Sequence, residues 1–230
     1  MKTQDVTQLF DTISPSYDLV NRLVSFGIDQ RWRQTMLKEV PQVHGQTVCD
    51  LATGTGDQIS VLAKSPFIQT LYGFDLSTQM LKIGQEKLKK ANLLKKAILQ
   101  VGNALSVPVK DEFCDLATIS FGIRNVAEPV KCLIEMHRIL KPTGKALILE
   151  FSMPKSKLVR NPYLIYLRHI LPKIGGFISK SPDAYVYLNQ TIESFPSGNA
   201  FLQMLQTAGF HSAKQIPLSF GIASLYIGHK

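Results

Sequence analysis

The chain has 230 residues, 45% of them hydrophobic and 19% charged, with a formal net charge of +9. That length suits one domain, with room for a small appendage, and a full buried core, and the composition is that of a globular chain rather than a disordered or membrane-spanning one. No apolar stretch reaches the ~18–20 residues that a bilayer span needs, and the N-terminus leads into no signal-like apolar core.

Residues 1 to about 45 read as helical and carry the only tryptophan, Trp32. Thr47–Leu51 reads as a strand ending in the turn Gly54-Thr55-Gly56-Asp57, and Gln58–Lys64 as the helix after it. Strand-like Leu71–Phe74, helix-like Ser77–Ala91 and strand-like Ala97–Val101 follow, then the buried-looking run Leu116–Ser120. Next comes a helix whose apolar positions are Val130, Leu133, Ile134 and His137. Beyond a turn at Pro142-Thr143-Gly144, Lys145–Phe151 reads as a further strand. Residues 152 to about 190 form an insertion rich in Pro, Tyr and Lys. Phe201–Ala208 resumes as a helix, and Phe210–Ile216 with Ile222–Gly228 suits an antiparallel pair at the sheet edge. This alternation of strands and helices predicts parallel βαβ units, hence an open α/β sheet covered by helices on both faces.

In such sheets ligands bind beyond the carboxyl ends of the strands, near the switch point. Gly54 and Gly56 let the backbone turn tightly and a ligand approach without an intervening side chain. The third position of a dinucleotide fingerprint is Ile59 rather than Gly or Ala, and Asp57 would repel a phosphate, so a nucleoside carrying an amino-acid moiety suits this turn better than a diphosphate. Asp75, ending the second strand, can accept both ribose hydroxyls of an adenosine. Asn103-Ala104 can meet an adenine edge, and Ser120 faces the same crevice. Each of these polar residues could instead serve only its own turn.

The chain resembles the ubiquinone/menaquinone-biosynthesis C-methyltransferases almost end to end. The resemblance is carried by Phe10-Asp11, Tyr17-Asp18, Asn21, Ser25-Phe26-Gly27 and Trp32-Arg33, by Gly54-Thr55-Gly56-Asp57, and above all by Ser120-Phe121-Gly122-Ile123-Arg124-Asn125-Val126. Glu135, Arg138, Leu140-Lys141-Pro142, Leu149-Glu150-Phe151-Ser152, Tyr185, Tyr187-Leu188, Ile192, Phe195-Pro196 and Ala208-Gly209-Phe210 extend it. It implies a Rossmann-like class I methyltransferase: an open, mostly parallel seven-stranded sheet in one domain, residues 1–230, with a helical lid over about 1–45 and a substrate-side insertion over about 152–190. The cofactor implied is S-adenosyl-L-methionine, held by Gly54, Thr55, Gly56, Asp75, Asn103, Ala104 and Ser120. Thr53, Thr143 and Asp29-Gln30 depart from the family's pattern, the last pair on the expected substrate side.

The implied reaction is C-methylation of a prenylated quinol ring, demethylmenaquinol to menaquinol or its ubiquinone counterpart. Ring carbon attacks methyl in line once a phenolic proton is lost, so the protein supplies positioning and proton management. Arg124 is expected either to stabilise the phenolate or to form a structural salt bridge, and Asn125 to orient a ring oxygen. Tyr17 is expected over the cofactor beside Asn21, as a catalytic group or a lid-packing aromatic. No metal is called for: the five histidines are scattered without ligand spacing, and His137 reads as a packed residue.

Cys49, Cys114 and Cys132 are odd in number and widely spaced, which argues against disulfides and for a reducing cytosol. The expected partner is the quinol, with a homodimer left open and nucleic acid excluded. The expected location is the cytoplasm, at the inner face of the cytoplasmic membrane if the basic, aromatic segment around 162–178 lies at an interface, roofs a prenyl groove, or simply packs on the sheet edge. Two rival readings are an RNA methyltransferase, which the positive charge invites but the residues after the fourth strand do not support, and a nonenzymatic nucleoside-binding module.

Overall fold

A computed structural model of the chain describes residues 11, 14, 17–25, 27–173 and 182–230, with the backbone alone for Tyr17, Val20, Leu23, Val24 and residues 182–186. Phe10 and Phe26, singled out in the sequence, lie outside the described residues, as do the side chains of Tyr17 and Tyr185 and residues 174–178 of the basic, aromatic segment.

In chain order the elements are α1 (Tyr17–Val24), α2 (Asp29–Lys38), β1 (Gln46–Leu51), α3 (Asp57–Leu62), β2 (Ile68–Asp75), α4 (Thr78–Lys90), β3 (Ala97–Val101) and β4 (Cys114–Ser120). A 3-10 turn over Ile123–Asn125 leads to α5 (Pro129–Ile139) and β5 (Leu140–Phe151). Then come α6 (Lys157–Ile165), continued by a π-helical turn over Tyr166–Ile170, and α7 (Pro182–Ser194). The chain ends with α8 (Asn199–Thr207), β6 (His211–Leu218), a 3-10 turn over Ser219–Gly221, and β7 (Ala223–His229).

The seven strands form one sheet in the order β3-β2-β1-β4-β5-β7-β6. β1 pairs in parallel with both β2 and β4, β2 with β3, and β4 with β5, whereas β7 runs antiparallel between β5 and β6. The switch point therefore lies between β1 and β4, where the strand order reverses and a crevice opens at the carboxyl ends. Because side chains alternate along a strand, β1 sends Val48 into one core layer and Cys49 and Leu51 into the other. The first layer contains Trp32 and Met36 of α2, Ile59 and Leu62 of α3, and Leu81 and Leu88 of α4; the second contains Cys132, Leu133, Met136 and Ile139 of α5 with Phe201 and Leu205 of α8. Helices cover both faces, as the sequence predicts. All three cysteines are buried.

Two local expectations are corrected. β5 begins at Leu140 and runs through the Pro142-Thr143-Gly144 segment, with Thr143 at φ 70°. The strand forms because Cys114 of β4 pairs with Leu140 across a register shift, a long-range contact that local turn chemistry does not reveal. In α5 the buried face is Cys132, Leu133, Glu135, Met136 and Ile139, and Ile134 is exposed. Glu135 can be buried because it accepts from the backbone N–H of Val107 (2.6 Å) and from Arg138 (2.6 and 2.8 Å), which rotates the apolar stripe away from Ile134. His137, half-buried, packs edge-on to Phe210, its ring centroid 5.2 Å away.

Candidate active site

Two sharp turns build the crevice. After β1, Ala52, Gly54 and Gly56 all have φ between 47° and 74°, the left-handed region, and Gly56 hands the chain to α3. After β4, Phe121 also turns left-handed (φ 57°), a conformation an aromatic residue keeps only under tight packing. That packing is present: the Phe121 ring lies 6.1 Å from Trp32 and 4.6 Å from Phe151, and Trp32 donates its indole N–H to Ser219 (2.9 Å). At Gly122 a Cβ would come within 2.8 Å of the Ala52 Cβ, so only glycine lets the two turns touch.

Below the first turn sits Asp50, 1% exposed, accepting from Thr118 (2.5 Å) and Thr53 (2.7 Å). Thr53, a departure from the family's pattern, thus acts as a clamp on Asp50. Burial pushes the Asp50 carboxyl up to about 6, opposed by the two threonine hydroxyls and the Arg33 charge. A carboxyl whose folded pKa is raised holds its proton more tightly when folded. Its contribution to stability is full below about pH 4 and is lost as pH climbs through about 6. The stability of Asp50→Asn relative to the wild-type protein should therefore rise by ~3 kcal/mol between pH 4 and pH 7, read from urea unfolding. A difference that stays constant across that range contradicts the assignment.

Asp75 ends β2 half-buried, accepting from the backbone N–H of Gly54 (2.8 Å) and of Ser77 (2.9 Å). Burial pushes its pKa up and these backbone donors pull it down. One carboxylate therefore ties the glycine turn to the end of β2. Asn103 uses its side-chain oxygen to accept from Leu105 (2.9 Å), the turn chemistry that the sequence also allows, and Ala104 is buried beside it. Ser120 donates to Gln58 (3.1 Å) across the crevice.

Thr55 is buried, and its hydroxyl is engaged from above: it donates to Asp18 of α1 (2.6 Å) and accepts from Lys87 of α4 (3.0 Å). Lys87 also reaches Asp18 (2.7 Å) and Asp57 (2.6 Å), so the negative charge expected of Asp57 is paired. Asp11 and the Ser77 hydroxyl form a second tie between the N-terminal segment and the crevice rim. Asn21 is buried with its amide nitrogen lacking a partner. Tyr17 contributes the first residue of α1 to this cover; its side chain lies outside the described residues.

Arg124, 9% exposed, sits on the 3-10 turn after β4. Its guanidinium donates to Glu150 (2.7 Å) and to the Phe121 carbonyl (2.5 Å) and lies 5.3 Å from the centre of the Phe151 ring, while its Nε has no partner. Asn125 accepts from the Tyr187 hydroxyl (3.3 Å). Tyr163 of α6 comes near the same charge with its hydroxyl buried and unpartnered, and burial pushes its pKa up while Arg124 pulls it down. The structure therefore brings Arg124 and Asn125 together with two tyrosines that sequence reasoning missed as site residues. Tyr163 lies one residue after a proline in the basic, aromatic segment that the sequence offers as an interface, a groove roof or edge packing, and nothing local singles it out. A third missed residue is Arg33 of α2, which lines a narrow cleft of about 10 Å³ with Asp50, Thr53, Gly54, Gln58 and Ser120.

The profile of the ubiE/COQ5 methyltransferase family matches residues 1–230. The ubiquinone/menaquinone biosynthesis C-methyltransferase UbiE of Syntrophotalea carbinolica is 43% identical over 226 residues, covering 98% of this chain and 94% of that protein. The demethylmenaquinone methyltransferase of Chlorobaculum tepidum is 37% identical over 229 residues, covering 98% and 92%. A solved S-adenosylmethionine-dependent methyltransferase from Aquifex aeolicus superposes with a TM-score of 0.64 at 20% identity, over 100% of this chain and 98% of that one, a likeness of fold. The chain belongs to the ubiE/COQ5 methyltransferase family.

Proposed function

We propose that this methyltransferase uses S-adenosylmethionine to methylate a ring carbon of a prenylated quinol in menaquinone or ubiquinone biosynthesis, with demethylmenaquinol as the specific substrate. The carrying observation is the placement of Arg124, Asn125, Tyr163 and Tyr187 at the end of β4, next to a crevice whose glycine turn and Asp75 suit an adenosine. The residues present fit the cofactor: Asp75 offers remaining lone pairs to ribose hydroxyls, and Gly54 leaves the turn bare. When bound, the cofactor supplies an electrophilic methyl group on its sulfonium.

The chain's own residues do the rest. Arg124 is held rigid by Glu150 and the Phe121 carbonyl, and its Nε–H, which has no partner, is left to donate to a quinol oxygen as that oxygen gains negative charge. Asn125 and Tyr187 fix the ring's orientation as a hydrogen-bonded pair. Buried Phe121 and Phe151 wall the site with apolar surface, which strengthens the pull of Arg124 on the quinolate. In this reading residues 1–230 act as one methyltransferase domain, with α1 as cover and 152–190 on the substrate side. The assignment to quinol methylation displaces the RNA and nonenzymatic alternatives. Deleting the gene should make the desmethyl quinone accumulate in lipid extracts, read by mass spectrometry; an unchanged quinone profile contradicts the proposal.

A lipid-borne substrate calls for a membrane-facing surface, and no helix among the described residues is long and apolar enough to cross a bilayer. Leu158, Ile165 and Ile170 are exposed on α6 and the turn that continues it, close in sequence to exposed Lys155 and Lys157. Arg168 is committed to Glu193 and adds no free charge. Peripheral contact through this face should make the protein co-sediment with phosphatidylglycerol vesicles, and Leu158→Asp with Ile165→Asp should abolish it. Equal sedimentation of wild-type protein and the double variant rejects the surface.

A further inference from the structure

The turn between β6 and β7 holds an exposed aromatic ring on a strained backbone. Ser219, Phe220 and Gly221 are left-handed in succession, at φ 45°, 59° and 92°, and only the last is a glycine. Phe220 is nevertheless 85% exposed. Its case differs from that of Phe121, whose left-handed turn is held by the packing of its own ring. What holds the Phe220 turn is the frame around it. The indole of buried Trp32 donates to the Ser219 hydroxyl (2.9 Å), the Ser152 hydroxyl donates to the Gly221 carbonyl (2.8 Å), and the Ile222 N–H donates to the Ser219 carbonyl (3.2 Å). A backbone fixed in this way, carrying a ring that packs on little of its own chain, points to an outside contact.

The surroundings fit an anionic lipid surface. Ser152 also donates its backbone N–H to the Ile222 carbonyl (2.9 Å), and a Cβ on Gly221 would meet the Pro154 Cα at 3.4 Å, so the turn is stitched to the segment after β5. That segment presents exposed Lys155, Lys157 and Leu158, the last 88% exposed. Residues 152–158 and 217–222 hold two lysines and no acidic residue. Apolar side chains flanked by such lysines match the boundary between acyl chains and phosphate headgroups. We propose that the Phe220 turn is a membrane-entry tip that inserts its ring into an anionic bilayer, together with Leu158 of the adjoining segment. The inference rests on the peripheral contact proposed above and gives that contact a fixed point of entry. The tip lies at the carboxyl end of β5, the end at which parallel β4 delivers Arg124 and Asn125. Trp32 bonds the turn and packs against Phe121 and Phe151, so the aromatic wall of the crevice braces it.

The test places a reporter at the tip. The only native tryptophan, Trp32, is buried, so the added indole of Phe220→Trp is the one able to report on a vesicle. Its emission should shift to the blue with phosphatidylglycerol vesicles, and lipids brominated on their acyl chains should quench it. Phe220→Asn keeps a residue that tolerates the left-handed turn. It should unfold at no lower urea concentration than the wild type, yet partition onto the same vesicles roughly 5- to 10-fold more weakly. Its turnover of a short-tailed quinol without vesicles should match the wild type. An unshifted Phe220→Trp emission, while the wild-type protein co-sediments with vesicles, overturns the tip and leaves the contact to α6. Wild-type protein that does not co-sediment overturns the peripheral contact itself. A higher KM of Phe220→Asn for the short-tailed quinol would assign the ring to the substrate's tail, and a dimer that Phe220→Asn dissolves would assign it to a second copy of this chain; either result overturns the proposal.

Discussion

Asp75→Ala is expected to weaken S-adenosylmethionine binding by about 100-fold or more, measured by calorimetry. Two ribose hydroxyls donating to one carboxylate form charge-assisted hydrogen bonds worth about 1.5–3 kcal/mol each, and every 1.4 kcal/mol is tenfold. The same carboxylate holds the N–H of Gly54 and of Ser77, so its loss also frees the glycine turn and unmoors the start of α4. Asp75→Asn keeps an acceptor oxygen but puts an amide where the second hydroxyl must donate, and should fall between the wild type and Asp75→Ala. Unchanged affinity in Asp75→Ala removes the nucleoside from this end of the crevice.

The second large effect concerns Arg124 and Glu150, which are nearly inaccessible and 2.7 Å apart. Breaking a buried ion pair strands the remaining charge, so Glu150→Gln and Arg124→Met should each cost about 3–5 kcal/mol of stability. The double change Arg124→Met with Glu150→Leu should restore much of that loss, because no buried charge is left. Turnover behaves differently. Arg124→Met and the double variant should both lose about 100-fold or more in kcat with little change in S-adenosylmethionine affinity, since Arg124 acts on the quinol oxygen and not on the cofactor. A double variant that regains both stability and turnover reassigns Arg124 to structure.

The strands and the crevice were largely legible in the sequence because their signals are local. Apolar runs bounded by turns marked β1 to β4, and Ile59, which spoils the dinucleotide fingerprint, proves to be a fully buried core residue. What escaped depends on long-range packing. Strand pairing to Cys114 extends β5 back to Leu140, and hydrogen bonds around Glu135 rotate α5. Arg33 and Tyr163 look ordinary in sequence, since their unpartnered atoms arise only when α2 and α6 dock against the strand ends. The Asp18–Thr55–Lys87–Asp57 cluster likewise joins three segments, α1, the glycine turn and α4, whose proximity no spacing rule encodes. The resemblance to quinone methyltransferases supplied the substrate class, which crevice chemistry alone leaves open.

The most direct measurement incubates the purified protein with methyl-labelled S-adenosylmethionine and a short-tailed demethylmenaquinol kept reduced, and locates the label by mass spectrometry and fragmentation. The account predicts one labelled methyl group on a ring carbon of the quinol and an equal amount of S-adenosylhomocysteine. Label on a quinol oxygen, or no transfer from protein that binds both ligands, would contradict it.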